Sequence, residues 1–331
     1  MPNNDFKVDM VYLWCDGNEP AFKKRKDEWL QQEKYYGEYF MGEQRFFDND
    51  ELKYSLRSLE QYAPWINHVF IVTDRQIPKW LATNNKRVSI IDHAQIMPNS
   101  NIPCFNADVI ERYIAFIPEL QEHFIYGNDD TFFGRPVNRS FFFDQGQPIM
   151  RLKRQFTVEE KYTLKEVTAI VNKKNAPWKQ LLNSWRLLME RNNLEKVTVL
   201  NRWHNIDAYT KSEYQKVFVK YYDVLNKNTP KFRTENDVER IVFSMEPVLS
   251  GRAKLKMVHT LTRGQKIKSM LSGNSIEGYY ATERLKSLLA IKFLHPKVFC
   301  INDEGIGTVR TKKRMRDFLK GMFPQKSSFE K

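Results

Sequence analysis

Four short apolar runs rich in β-forming residues recur through the N-terminal part of the chain, and each ends at a carboxylate. They are residues 8–14 (V-D-M-V-Y-L-W, followed by Cys15 and Asp16), 68–74 (H-V-F-I-V-T-D), 87–92 (R-V-S-I-I-D) and 123–130 (H-F-I-Y-G-N-D-D). Helical patterns lie between them. Leu52, Leu56 and Leu59 share one helical face, Pro64 ends that helix, and Asp48 with Glu51 resembles a capping box at its start. Asn106 is placed to cap another helix carrying Val109, Ile110, Tyr113, Ile114 and Ile117. Strands alternating with helices imply right-handed crossovers and a mostly parallel sheet, so the expected fold class is α/β.

Ligands of open α/β sheets bind at the carboxyl ends of the strands. Asp16, Asp74, Asp92 and the pair Asp129-Asp130 would all stand there. Carboxylates gathered along one edge repel each other unless a cation or ligand donors use them. Asp is also a good turn former, which is the plainer reading of each. Asn128-Asp129-Asp130 is the kind of oxygen-rich element that holds Mg²⁺ or Mn²⁺ against a diphosphate. Residues 297–303 (K-V-F-C-I-N-D) read as one more strand returning to the sheet, with Asn302-Asp303 as a further acidic end.

Charge divides the chain. Residues 1–150 carry a net −6 and residues 151–331 a net +19. The basic part suits a phosphate, a polyanion or an anionic membrane surface. No helix-turn-helix, zinc or RNA-recognition signature accompanies it, so nucleic acid is not an expected partner. Cys15, Cys104 and Cys300 are odd in number and far apart, which gives neither a disulfide framework nor a zinc pattern. The polar start, and the lack of an apolar run of ~18 residues, lead to the expectation of a cytoplasmic chain.

Residues 151–275 are Lys- and Arg-rich and mostly helical in pattern. The expected organisation is an α/β part over 1–150, a basic helical subdomain over 151–290, and a return strand with a basic helix over 291–331. The last helix, near 309–323, either covers the sheet with its apolar side or lies on an anionic membrane.

Three further elements carry candidate chemistry. Asp16-Gly17-Asn18 either holds a nucleotide, with Gly17 allowing close approach, or is an ordinary turn. His204, in N-R-W-H-N-I-D-A-Y, is either a proton acceptor for a hydroxyl or a structural histidine. Arg233, in K-F-R-T-E-N-D, either stabilises charge on a phosphoryl group or pairs at the surface with Glu235 or Asp237. The other histidines, His68, His93, His123, His259 and His295, show no ligand spacing and are assigned no role.

Four blocks together resemble the Stealth family of sugar-1-phosphate transferases. They are residues 8–20, then 45–81 continuing through 102–111 to 123–133, then 203–209 with 232–237, and finally 300–303 with 322–330. The family includes bacterial capsule phosphotransferases and the eukaryotic enzyme that tags lysosomal glycoproteins. Cys15-Asp16-Gly17 stands where the family usually has Val-Asp-Gly, and Gly127 where it usually has Leu.

The resemblance implies a Rossmann-like, glycosyltransferase-A-like sheet with an inserted helical subdomain. It implies transfer of a hexose-1-phosphate or N-acetylhexosamine-1-phosphate from a UDP-sugar to a hydroxyl of an acceptor oligosaccharide, with release of UMP. In a bacterial setting that acceptor is expected on a lipid carrier, with the enzyme peripheral at the inner face of the membrane. By motif position Asp129, Asp130 and Asp303 would hold Mg²⁺ or Mn²⁺. Asp16, Gly17 and Asn18 would contact the nucleotide. Arg45, Asp48, Asn49, Glu51 and Asp74 would face the rest of the donor. Asp130, His204 and Arg233 would be the catalytic groups. The rival within sugar chemistry is a metal-dependent glycosyltransferase that releases UDP.

Overall fold

The apolar runs become strands because their side chains alternate between two buried layers. β1 (Val8–Leu13), β2 (Val69–Thr73), β3 (Val88–Asp92) and β4 (His123–Asn128) pair in parallel in the order β3-β2-β1-β4. That is the strand order of a nucleotide-binding half of a doubly wound sheet. The computed structural model describes residues 5–32, 46–156, 161–173, 178–227, 229–258, 265, 271–272, 275–302 and 308–331. Arg45, His259 and Asp303 lie outside the described residues.

One face of the sheet buries Val11, Phe70, Val72, Phe124 and Tyr126 against Ile110, Tyr113 and Ile114. After a first helix, α1 (Pro20–Gln32), comes α2 (Glu51–Tyr62), and the other face buries Met10, Tyr12, Ile71 and Ile125 against its fully buried Leu52, Leu56 and Leu59. The period of two along each strand and the near-four spacing along the helix thus meet in one core.

The start of α2 differs from the expected capping box. Asp50 occupies the cap position in a left-handed conformation and makes no side-chain cap. Asp48 instead accepts the Asp50 N–H at 2.9 Å, and Glu51 accepts from the Asn49 N–H at 2.5 Å and side-chain amide at 2.9 Å. Both carboxylates are committed to the loop before the helix. Asn106 does cap its helix, Ala107–Glu111, accepting from the Asp108 N–H at 3.0 Å.

A strand from beyond residue 150 joins this sheet, and a second sheet forms beside it. Gln147–Arg154 pairs with Leu200–Arg202 and with Lys254–Met257, and Asp207–Thr210 adds antiparallel to β4. The strand Val298–Asn302 forms as expected but does not enter the main sheet. Asp207–Thr210 already holds the open edge of β4. Val298–Asn302 therefore pairs with β5 (Thr131–Phe133) and with Gly278–Thr282 in a small separate sheet. The helix Val309–Met322 lays Met315 and Leu319 on that sheet, beside Phe132, Phe299 and Ile301. The final residues return to α2: Phe329 is fully buried, and Glu330 accepts from Arg57 at 2.8 and 2.7 Å.

Candidate active site

β4 runs straight into the acidic pair, and β5 begins immediately after it. Asp129 and Asp130 are therefore pinned in a tight connection between two sheets, with the Ile301 N–H on the Asp130 carbonyl at 3.0 Å. The Cys300 thiol donates to Asp130 Oδ2 at 3.2 Å. Asp130 Oδ1 is buried with no hydrogen-bond partner among the described residues. Glu51 faces the same space from the start of α2, with Asp48 behind it.

Burial holds all four carboxyls above the ordinary range, and repulsion within the cluster adds to it at Asp129 and Glu51. Asp129 is raised by burial and by Asp130, Glu51 and Asp48. Burial likewise raises Asp130 and Glu51, and lifts Asp48 to about 6. Such a cluster is short of positive charge. The oxygen atoms suit a hard divalent cation, which would be held by one or two carboxylates and completed by phosphate oxygens. Asp130, His204 and Cys300 present ligand atoms within 4.8 Å of one another.

The opposite wall is basic and is assembled from distant segments. Arg240 is 4% exposed and donates to Glu111 at 3.1 Å, to Asp207 at 2.8 Å and to the Tyr209 hydroxyl at 2.6 Å, with the Tyr126 ring 4.2 Å away. It braces the wall. Arg202 has looser contacts, 3.8 Å to Glu111 and 3.9 Å to Glu239, and faces the cleft. Arg233 Nε forms an ion pair with Asp108 Oδ2 at 2.9 Å. His204 sits at φ 55°, an uncommon conformation for a residue with a Cβ. Burial, then Arg202, Lys153 and Arg240, drive its pKa down to about 3, so its ring is neutral.

The two walls enclose a cleft of about 600 Å³. Asn49, Glu51, Asp74, Asp129, Asp130, His204 and Arg233 line it, as do Phe22, Phe46, Phe105 and Phe232. Phe105 and Phe232 stack at 5.0 Å and Phe22 meets Phe105 edge-on at 5.5 Å.

Asp16, Gly17 and Asn18 are not among the lining residues. They form a turn in which the Asn18 N–H bonds Asp16 at 2.9 Å. The close approach at Gly17 is to the chain itself: its N–H meets the Phe46 carbonyl at 2.6 Å, and a Cβ there would lie 2.5 Å from that oxygen. Asp48 also stands behind the lining and acts through its charge on Glu51 and Asp129. Asp92 serves its own short helix, accepting from the Ala94 N–H.

The surface-pair alternative for Arg233 is not what forms. Its partner is Asp108; Glu235 pairs with Lys179, and Asp237 is taken by Thr234 and Asn106. Reading the sequence missed Arg202, Glu111, Cys300 and His93, all four at the cleft or bonded to its lining. Arg202 stands two residues from His204, a spacing that was the available signal. Glu111, Cys300 and His93 carried none.

Comparison with known proteins bears on the family. Stealth protein conserved region 2 matches residues 45–150, and conserved region 4 matches residues 292–331. An exopolysaccharide phosphotransferase, cps2G of Lactiplantibacillus plantarum, is 30% identical over 98% of this chain and 97% of its own. The capsular polysaccharide phosphotransferase LcbA of Neisseria meningitidis is 33% identical over 72% of this chain and 63% of its own. The exopolysaccharide phosphotransferase SCO6023 of Streptomyces coelicolor is 31% identical over 98% of this chain and 53% of its own. The chain thus spans less than two thirds of the length of these last two relatives. Among solved structures, the glycosyltransferase GlyE of Streptococcus pneumoniae covers 96% of this chain, which covers 63% of it, at 9% identity and a TM-score of 0.40. A likeness that weak decides nothing about the fold.

Proposed function

The chain belongs to the Stealth family, and from that premise we propose that it transfers a sugar-1-phosphate from a nucleotide diphosphate sugar to a hydroxyl of an acceptor glycan, in the building of a capsular or cell-surface polysaccharide. The donor in this reading is a UDP-hexose or UDP-N-acetylhexosamine. The acceptor hydroxyl attacks the phosphorus that bears the sugar, and UMP leaves.

Phosphoryl transfer asks a protein chiefly for positioning and charge stabilisation. Arg233, aimed by Asp108, and Arg202 donate to the oxygens of the transferring phosphoryl group. Neutral His204 accepts the proton of the acceptor hydroxyl at a ring nitrogen. Asp129 and Asp130 would hold Mg²⁺ or Mn²⁺, whose charge, when bound, neutralises the diphosphate and eases departure of UMP. Asn49, Glu51 and Asp74 face the donor from the acidic side. Asp303, by its place in the motif, joins the cation ligands, and Arg45 joins the donor contacts. Asp16, Gly17, Asn18 and Asp48 stand behind the residues that face the donor.

The observation that carries this reading is the proximity of the His204 ring to a buried Asp130 whose Oδ1 has no hydrogen-bond partner among the described residues. In this reading charge neutralisation and proton acceptance lie on either side of one reacting centre.

No helix among the described residues is long and apolar enough to cross a membrane. In this reading the net +19 of residues 151–331 serves the phosphate chemistry and docking to an anionic cytoplasmic surface that carries lipid-linked acceptor. The test is the identity of the nucleotide released when protein, Mg²⁺ or Mn²⁺, UDP-sugars and acceptor oligosaccharides are mixed. Acceptor-dependent UMP is the expected product. UDP would instead establish the glycosyltransferase rival.

A further inference from the structure

Two buried polar groups at one end of the cleft carry atoms with no hydrogen-bond partner among the described residues. His93 follows β3 directly and is 4% exposed, yet both of its ring nitrogens lack a hydrogen-bond partner among the described residues. Asp74 follows β2 and is 1% exposed. Its Oδ2 takes two bonds from Arg25, at 3.1 and 3.0 Å, but its Oδ1 accepts none from the described residues, Arg75 Nε standing 3.9 Å from it. Both residues line the cleft.

An unsatisfied buried polar atom is costly, so two groups that carry such atoms at one site call for an explanation. Packing gives none. Capping gives none either, because Asp92, not His93, caps the short helix at this strand end. The remaining account is a ligand that supplies the missing partners.

The surroundings define that ligand. Arg25 fixes the Asp74 carboxylate through Oδ2, which leaves Oδ1 as a pre-oriented acceptor aimed elsewhere. The His93 ring is held neutral by burial, against the pull of Asp74 and Asp92, so it offers one N–H donor and one acceptor. Phe22 and Phe105 supply flat apolar surface to the same cleft. The complement is a planar group on a polar frame, with a hydrogen-bond donor next to an acceptor.

We propose that Asp74 and His93 form a nucleoside-reading subsite at the ends of β2 and β3, where Asp74 Oδ1 accepts a ligand N–H or O–H and the His93 ring bonds the polar group beside it. The proposal rests on the reading of the substrate as a nucleotide diphosphate sugar and names the part of it bound here. Two parts of a uridine nucleotide present this chemistry: the imide edge of uracil, with an N–H between two carbonyls, and the vicinal diol of the ribose. Acidic residues at such a strand end bond ribose hydroxyls in dinucleotide-binding sheets. The two sources differ in which analogue they reject.

The test is calorimetric binding of UMP, CMP and 2′-deoxy-UMP to the full chain in the presence of Mg²⁺, comparing wild type with His93→Leu and His93→Gln. Leu removes both ring nitrogens at similar bulk, while Gln restores a donor and an acceptor. UMP binding on the order of tenfold or more weaker in His93→Leu, largely recovered in His93→Gln, is expected. His93→Leu should meanwhile keep or raise the thermal midpoint, since a buried polar group without a partner is gone, and a merely structural role would not give that combination. A loss seen with UMP but not with CMP assigns the contact to the base; a loss seen with UMP and CMP but not with 2′-deoxy-UMP assigns it to the ribose. Wild type and His93→Leu binding UMP equally would overturn the subsite. Wild type binding no nucleotide would overturn the donor reading itself, which keeps the two failures apart.

Discussion

The acidic and basic walls of the cleft are built in opposite ways. The acidic wall is local: Asp129 and Asp130 follow β4 without an intervening residue other than Asn128's own strand end, and Glu51 opens α2. Its position is settled by where one strand stops. The basic wall is tertiary. Glu111 ends one short helix, Arg202 ends a strand of another sheet, Arg233 lies in a loop and Arg240 stands at the start of the helix Ile241–Leu249. Only the folded chain brings them together. The acidic wall is short of charge partners, while the basic wall is crowded with them. One side thus waits for a cation and the other has already organised its own.

That contrast orders the expected effects. The largest belongs to the side with no internal compensation. Asp130→Asn keeps the shape but removes the charge, and steady-state assays should show turnover falling by about a thousandfold or more, given that metal and electrostatic contributions are each worth several kcal/mol. Turnover within tenfold of wild type would show that the acidic wall does not neutralise the donor.

On the basic side Arg233→Ala should lower turnover by about 10² to 10³, the range for loss of one preorganised donor. Arg240→Met should act differently. It leaves Glu111 and Asp207 buried without their partner, and loss of one member of a buried pair costs about 3–5 kcal/mol of stability. Denaturant unfolding would measure it. If Arg240→Met were fully stable and merely slow, Arg240 would be a catalytic group and not a brace.

Legibility followed the same division. The four parallel strands, the buried face of α2 and the Asn106 cap could be read from the sequence, because each depends on periodicity or on a residue acting within a few positions of itself. Asp129 and Asp130 were legible for the same reason. The return strand Val298–Asn302 was legible as a strand but not in its partner, since that depended on Asp207–Thr210 having already taken the edge of β4. Glu111 was invisible: nothing around it in sequence announces Arg240, which lies at a distant point of the chain. His93 was invisible because its significance is the absence of a partner, which no local pattern encodes.

A smaller effect sharpens the comparison through pH. The folded-state pKa of Asp48 is about 6, above its ordinary 3.8, because ionisation is penalised by burial. A raised carboxyl destabilises the fold when charged. Stability of the metal-free protein should therefore rise as pH falls through about 6 and level off below 3.8, by on the order of 2–3 kcal/mol if Asp48 alone is counted. Saturating Mg²⁺ should flatten that dependence by supplying the missing charge. Thermal midpoints at pH 7 and pH 5, with and without Mg²⁺, decide it, and equal slopes in both series would remove the cation from the acidic wall.

The smallest expected effect lies away from the cleft. Glu330→Gln weakens the two-bond pair with Arg57 that ties the chain end to α2, and should lower stability by about 1–3 kcal/mol while leaving nucleotide binding intact. A change in nucleotide affinity would mean that the tie also sets the position of Glu51.

The central claim is that the two walls direct attack to phosphorus. The most direct measurement uses a UDP-sugar carrying a heavy-oxygen label in the atom joining the sugar to the diphosphate, with product and nucleotide analysed by mass spectrometry. Attack at phosphorus leaves that bond whole, so the account predicts label in the sugar phosphodiester product and none in the released UMP. Label leaving with UDP would show that the anomeric carbon–oxygen bond had broken, and would contradict it.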